Sequence, residues 1–178
     1  MRCFIAIDFP EEIKSELIRV QELLPKELAK FRLTGKEQLH LTIKFIGEVQ
    51  PEKVARVKEI LKKIRFKPFR GALSEIGVFP SGNYIRVVWA GLKPEGGFIE
   101  LQQKIEKALE EEFKKEKNFH PHITLARVKF VEDTKEFIEK IKKIKMEGKE
   151  FAVEDFKLKK STPTGRGSVY EDVDVFGN

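Results

Sequence analysis

The sequence predicts an α+β fold made of two similar lobes, and three observations indicate it. Short apolar segments of strand length alternate along the chain with amphipathic segments of helical length. The pattern His-x-Thr-x, with an apolar residue at each x, occurs twice, at residues 40–43 and 122–125. The segments around the two copies recur at an offset of about 82 residues, which is typical of an internal repeat.

The first half of the chain opens with an almost wholly apolar strand, Arg2 to Phe9, which Pro10 ends. An amphipathic helix follows over residues 11–24, because apolar residues recur there at helical spacing until Pro25. The remaining predicted segments of this half are an irregular stretch with a short strand at 31–39, the first motif strand at 39–46, a helix at 51–64, a strand at 69–78 and a turn at 80–83.

The second half repeats this order. Its predicted segments are a strand at 84–92, a loop at 93–97, a helix at 98–117, the second motif strand at 122–128, a helix at 133–144, a strand at 149–159, a loop at 161–167 and a last strand at 168–176. Pro121 biases His120 toward an extended conformation. It either fixes the register of His122 or simply starts the strand.

Composition limits the class of protein. A hydrophobic fraction of 40% with 15 Phe excludes a disordered chain. No apolar run approaches the roughly 20 residues of a membrane span, and Met1 leads directly into a strand, so we expect a cytoplasmic protein without membrane contact. Cys3 is the only cysteine, which excludes a disulfide framework and a thiolate zinc site.

The charged residues suggest a class of partner and a source. A formal net charge of +6 suits a polyanion such as RNA, although much of the lysine lies beside glutamate on helices, as in a solvated helix face. Lys and Glu are abundant while Asn and Gln are scarce, a bias typical of proteins from very hot environments, so we expect a thermophilic source.

The repeated motif carries the chemistry. In a strand, residues i and i+2 point to one face, so His40 projects beside Thr42 and His122 beside Thr124. If the two copies face each other across a cleft, two imidazoles and two hydroxyls surround one small anionic group. Two histidines can serve as acid and base in one reaction, and the threonines can hydrogen-bond a phosphoryl oxygen without adding charge.

Neighbouring residues add candidate substrate contacts. Alternation places Lys44 on the face of His40, where it would add positive charge near a phosphate or else face solvent, and places Phe45 on the buried face. Arg127 would suit a phosphate, but strict alternation turns it away from the site unless a bulge redirects it. Arg166, between two glycines, either reaches a phosphate or marks an ordinary hairpin tip.

The paired motifs and their flanks resemble the 2H phosphoesterase superfamily, and most closely its RNA 2′,3′-cyclic phosphodiesterase branch, also called the 2′-5′ RNA ligase family. The resemblance rests on Phe4-Ile5-Ala6-Ile7, on residues 39–45 and on residues 119–127, with all four motif positions intact. It implies antiparallel sheets with helices on their outer faces around a central cleft. It also implies a single bilobal domain over residues 1–178.

The resemblance also implies an activity. An RNA or nucleotide with a 2′,3′-cyclic phosphate end would be hydrolysed to a 2′-phosphomonoester, with 2′-5′ ligation as a secondary reaction. His40 would be the proton donor, His122 the proton acceptor, and Thr42 and Thr124 the phosphate ligands. No metal or other cofactor is expected, and we expect a monomer.

Two alternatives remain open from the sequence. Three imidazoles, from His40, His120 and His122, match the protein ligand set of some catalytic zinc centres, although Gln38 replaces the third histidine in the first half. The chain could instead be a non-catalytic RNA-binding module that uses its basic surface and exposed aromatic residues.

Overall fold

The computed structural model describes residues 1–165 and 167–177, which form four α-helices and nine β-strands. The helices are α1 (Glu11–Glu22), α2 (Pro51–Leu61), α3 (Gly96–Ala108) and α4 (Thr134–Lys143). The strands are β1 (Arg2–Asp8), β2 (Ala29–Leu33), β3 (His40–Glu48), β4 (Phe69–Ser81), β5 (Tyr84–Lys93), β6 (His122–Val131), β7 (Glu150–Val153), β8 (Asp155–Thr164) and β9 (Gly167–Gly177).

The strands form one curled antiparallel sheet whose order is mirrored about its centre. The order is β7-β4-β5-β6-β3-β1-β8-β9, and β2 pairs separately with β6. The two motif strands, β3 and β6, lie side by side in the middle, where Leu41 pairs with Ile123. The predicted two-lobed α+β fold is confirmed, with the sheets of the two lobes continuous through this pair.

The apolar positions of the motif strands face the core. Leu41, Ile43, Ile123 and Leu125 are fully buried, in one cluster with the apolar faces of the helices. Burying each such side chain contributes about 1.5–3 kcal/mol. The opposite side of the same strands carries the histidines and threonines, so the packing of the core determines which side chains reach the cleft.

Each half of the chain packs on the motif strand of the other half. Helix α1 contacts β6, and β2 pairs with β6 from Ala29 to Leu33. Reciprocally, α3 contacts β3, and the backbone N–H of Phe45 donates to the Glu116 carboxylate at 2.9 Å. The segments that precede each motif are therefore exchanged between the lobes.

Both motif strands contain a β-bulge at the last residue of the motif. In the pairing of β1 with β3, Ile5 opposes Lys44 and Ala6 opposes Thr42, which leaves Ile43 as the extra residue. In the pairing of β5 with β6, the register shifts in the same way at Leu125. A bulge reverses the alternation of side chains beyond it, and β3 and β6 accordingly begin with the same burial pattern.

Three predicted elements were wrong in extent. The helix predicted over 98–117 ends at Ala108, where three consecutive glutamates follow at its negative C-terminal end and disfavour further turns. The strand predicted over 149–159 is two strands, since β7 pairs with β4 and β8 with β1. The loop predicted over 161–167 is shorter, because β8 stays paired with β9 as far as Thr164. Arg166 lies outside the described residues.

Candidate active site

A cleft of about 560 Å³ lies over the middle of the sheet. All four motif residues line it: His40, Thr42, His122 and Thr124. Because Leu41 pairs with Ile123 in antiparallel register, each histidine lies next to the threonine of the other strand. The structure thus brings two imidazoles and two hydroxyls around one space.

The backbone fixes which ring nitrogen of each histidine faces the reaction. Nδ1 of His40 lies 2.6 Å from the carbonyl oxygen of Gln38, and Nδ1 of His122 lies 2.7 Å from that of His120. A carbonyl oxygen can only accept a hydrogen bond, so both Nδ1 atoms carry hydrogen. In the neutral rings Nε2 is therefore the basic atom, and the Thr42 hydroxyl donates to Nε2 of His40 at 2.9 Å.

Aromatic side chains hold both imidazoles in place. The His40 ring lies 5.0 Å from Phe4 and 5.4 Å from Tyr170, measured between ring centroids. The His122 ring lies 5.0 Å from Phe79 and 6.4 Å from Trp89. These contacts restrict the rings to one orientation, which a general acid or base requires.

Glycine at position 77 makes the Trp89 contact geometrically feasible. A Cβ built on Gly77 would lie 2.1 Å from the Trp89 ring. Any other residue there would displace the indole, and with it the support of the His122 ring.

The two bulges bring one further residue from each strand into the cleft. Phe45 and Arg127, 82 residues apart, both line it. Phe45 was predicted to be buried, which is wrong, because its side chain is 63% exposed. The bulge at Leu125 turns Arg127 to the same face of the sheet as His122. This is the condition under which the sequence allowed Arg127 to contact a phosphate.

Lys44 does not lie where strict alternation predicted. The bulge at Ile43 turns its side chain to the opposite face of the sheet, where it is 1% exposed. Its ammonium donates to both Glu106 carboxylate oxygens at 3.0 Å and to the Lys114 carbonyl at 2.9 Å. Lys44 is therefore neither a cleft residue nor solvent-facing, but half of a buried ion pair between β3 and α3.

Comparisons with known proteins agree with this arrangement. The family model described as LigT like Phosphoesterase matches residues 7–89 and again residues 92–170, once for each lobe. The RNA 2′,3′-cyclic phosphodiesterase of Methanocaldococcus jannaschii is 41% identical over 174 residues, covering 96% of this chain and 97% of that protein. The protein of that name from Archaeoglobus fulgidus is 35% identical over 178 residues, covering 99% of each. The chain belongs to the LigT-like phosphoesterase family.

Two solved structures share the whole fold of this chain. A crystal structure from Thermus thermophilus superimposes with a TM-score of 0.81 at 29% identity, covering 99% of this chain and 97% of that one. Escherichia coli LigT complexed with 3′-AMP superimposes with a TM-score of 0.78 at 29% identity, covering 99% of this chain and 96% of that one.

Burial makes both candidate catalytic histidines of this phosphoesterase fold weak bases. It lowers the pKa of His40 from 6.5 to about 4, against smaller opposing effects of the Gln38 carbonyl and of Asp8. Burial also lowers the pKa of His122, against a smaller opposing effect of the His120 carbonyl, and the nearby His120 and Arg127 side chains lower it further. Both rings are consequently neutral at neutral pH in the free protein.

Three further cations line the cleft that sequence reasoning did not identify: Arg2, Arg32 and Lys117. No ion pair involving them, or involving Arg127, occurs within residues 1–165 and 167–177. Arg32 pairs in register with Arg127 across β2 and β6. Nothing in the sequence indicated that Arg32 reaches the cleft, because β2 pairs with β6, a strand of the other half.

The third histidine lies beside the site. The His120 ring stacks 6.4 Å from that of His122, and its Nδ1 is 3.6 Å from the Glu95 carboxylate. Across the described part of the chain, no group of three His, Cys, Asp or Glu side chains is arranged to hold a metal ion. The same residues include no helix long and apolar enough to cross a bilayer.

Proposed function

We propose that the protein hydrolyses RNA 2′,3′-cyclic phosphate ends to 2′-phosphomonoesters by acid and base catalysis from two histidines, without a metal ion. The observation that carries this proposal is the pair of imidazoles in one cleft, each with its Nδ1–H bound to a backbone carbonyl and its Nε2 on the cleft side. In the free protein Nε2 of His40 accepts from the Thr42 hydroxyl, which substrate would displace. The relatives that share the name RNA 2′,3′-cyclic phosphodiesterase support the choice of substrate.

Proton transfer divides between the two rings. His122 Nε2 takes a proton from a water molecule, whose oxygen forms a bond to phosphorus. The bond from phosphorus to the 3′ oxygen breaks, and that oxygen takes a proton from His40 Nε2. The phosphoryl group stays on the 2′ oxygen, and the protein ends with the proton moved from one ring to the other. Each positioned proton transfer contributes about 10²–10⁴-fold to the rate.

Charge that builds on the non-bridging oxygens needs stabilisation. The hydroxyls of Thr42 and Thr124 line the cleft next to the opposing histidines and donate hydrogen bonds to those oxygens. The Arg127 guanidinium, turned into the cleft by the bulge, adds positive charge and a planar fork of donors.

The substrate itself makes His40 a usable acid. With a pKa of about 4, the free ring is neutral at neutral pH, and its Nε2 carries no proton to donate. A cyclic phosphate is an anion, and its negative charge beside the ring favours the imidazolium form. Substrate binding therefore raises the pKa of His40 and couples proton uptake to occupation of the site.

The exposed Phe45 ring suits the terminal base. It stands on the cleft wall beyond Thr42, along the same strand. Stacking of a base on an aromatic ring is worth about 1–3 kcal/mol and tolerates every base, since each has a π face.

Ligation follows from the same geometry as a secondary activity. If a ribose 5′-hydroxyl replaces water beside His122, the product is a 2′-5′ phosphodiester. Water is present at roughly 55 M, so hydrolysis dominates by mass action wherever water enters the cleft.

The test is incubation with an oligonucleotide that ends in a 2′,3′-cyclic phosphate, with and without a strong chelator. We expect a product with the phosphate on the 2′ oxygen, identified by ³¹P NMR, at a rate that the chelator does not change. A 3′-phosphate product would contradict the assigned roles, and loss of activity with the chelator would favour the three-histidine metal site.

The RNA-binding alternative makes a different prediction. If wild-type protein binds RNA but leaves the cyclic phosphate closed, and the His40→Ala/His122→Ala variant binds RNA equally well, the chain is a binding module and the proposed activity is wrong. The cleft supports catalysis instead, because a binding module gives no reason for two oriented imidazoles.

A further inference from the structure

The cleft has two chemically different ends. Because β3 and β6 are antiparallel, they leave the central pair in opposite directions. Along β3 the cleft continues from Thr42 to Phe45 and Gly47, and along β6 it continues from Thr124 to Arg127. The histidine and threonine side chains lie between the Phe45 end and the Arg127 end.

Two cations stand at the Phe45 end. Arg2 lies on β1 opposite Glu48, the last residue of β3, and its side chain lines the cleft. Lys117 lies in the segment after α3, which the bond from Phe45 N–H to Glu116 holds against β3. Their positions thus belong to two different elements that meet at the same end of the cleft.

Within the described parts of the chain, neither cation is paired with a carboxylate. Among the residues that the structure describes, no carboxylate lies within ion-pair distance of Arg2 or Lys117. Glu116, the acidic residue that lines this part of the cleft, accepts a hydrogen bond from Phe45. Unpaired cations that converge on a concave surface favour an anionic ligand.

We propose that Arg2 and Lys117 form a second phosphate subsite, which binds the phosphodiester on the 5′ side of the terminal nucleotide. This inference rests on the proposed function. With the cyclic phosphate between the histidines and the base on Phe45, the ribose lies toward the Phe45 end. Its 5′ oxygen then points toward Arg2 and Lys117, and away from Arg127.

Arg2 lies beyond Phe45, and its side chain is long enough to reach back toward it. A strand rises about 3.3 Å per residue, so the end of β3 lies roughly 10 Å beyond Phe45. Long Arg and Lys side chains cover part of that distance while their charged groups stay in solvent. The subsite therefore distinguishes the end of an RNA chain from a free nucleoside cyclic phosphate.

The experiment compares two substrates with the same base. One is a nucleoside 2′,3′-cyclic phosphate with a free 5′-hydroxyl, and the other is a dinucleotide that ends in the same cyclic phosphate. We expect kcat/KM for the dinucleotide to be at least about tenfold higher, the effect of a hydrogen bond to a charged group. This advantage should shrink as salt concentration rises.

The decisive variant is Arg2→Ala/Lys117→Ala. We expect its ratio of the two kcat/KM values to fall to about one and the salt dependence of the dinucleotide reaction to weaken. The matched control is Lys26→Ala/Lys63→Ala, which removes two exposed positive charges outside the cleft and should keep the wild-type ratio. Thermal unfolding of each variant verifies that it is folded.

Three outcomes would overturn the inference. Equal kcat/KM values for the two substrates in the wild type would mean that no second phosphate is bound, while the proposed hydrolysis would still stand. An unchanged ratio of the two kcat/KM values in Arg2→Ala/Lys117→Ala would mean that these residues do not cause the preference for the dinucleotide. If Arg32→Ala abolished the preference instead, the second phosphate would bind at the Arg127 end of the cleft. Failure to open either substrate would refute the proposed function itself.

Discussion

In the proposed reaction, the side chains of His40 and His122 transfer protons, and that of His120 does not. Replacing either with Ala removes one proton transfer, and we expect kcat to fall by at least about 10²-fold. His120→Ala is the matched control, since it keeps the backbone carbonyl that orients His122, and it should lose much less. Single-turnover rates on a cyclic-phosphate oligonucleotide measure the effect. Equal losses in all three variants would support a metal site.

The lowered pKa values of the two rings predict an acid-shifted kcat/KM profile. Catalysis requires one protonated and one neutral ring, so kcat/KM of the free protein peaks between their pKa values and falls about tenfold per pH unit above the upper one. The bound anion raises both pKa values, so kcat should peak at higher pH. Steady-state rates from about pH 4 to about pH 9 test this. A kcat maximum on the acid side of the kcat/KM maximum would contradict it.

The four motif residues could be recognised from sequence because a scarce residue type recurs in the same local pattern. Lys44 and Phe45 could not be placed in that way, because alternation assumes an unbroken strand. Arg127 could have indicated the bulge. Strict alternation places its guanidinium in the core without a partner, which costs several kcal/mol. A bulge at Leu125 would remove this conflict, and the internal repeat would then predict a second bulge at Ile43. With that second bulge, Phe45 faces the cleft and Lys44 faces away from it.

The ion pair between Lys44 and Glu106 joins β3 to α3 directly after the bulge at Ile43. Lys44→Met leaves a buried carboxylate unpaired and the Lys114 carbonyl without this donor. We expect the free energy of unfolding to fall by about 3–5 kcal/mol. Denaturant unfolding measures it.

Lys44→Met/Glu106→Leu is the control for this variant. Removing both charges together leaves no unpaired ion, so most of the lost stability should return. If the double variant is less stable than Lys44→Met alone, the ion pair is not the source of the loss.

At the level of helices and strands, amphipathic spacing identified all four helices, while their ends depended on context. Helix α3 stops early because acidic residues follow it, and the segment beyond it instead forms a wall of the cleft. The pairing of β2 with β6 could not be predicted, because a short strand carries no information about which distant edge it joins.

Across the whole molecule, the mirrored strand order and the exchanged segments support our proposal that the chain is a single bilobal unit. Buried Gln21 on α1 donates to the carbonyls of Thr34 and Leu125, which binds one half to the bulge of the other. Lys44 and Glu106 do the same in the opposite direction.

This exchange has a consequence for a chain cut in two. A fragment of residues 1–82 keeps α1 and β2 without their strand β6, and a fragment of residues 83–178 keeps α3 without β3. We expect each fragment alone to be inactive and largely unfolded by circular dichroism, and an equimolar mixture to regain structure and activity. If either fragment folded alone with a cooperative thermal transition, the lobes would be independent. Otherwise the polypeptide behaves as an intertwined dimer whose two subunits are joined by a peptide bond.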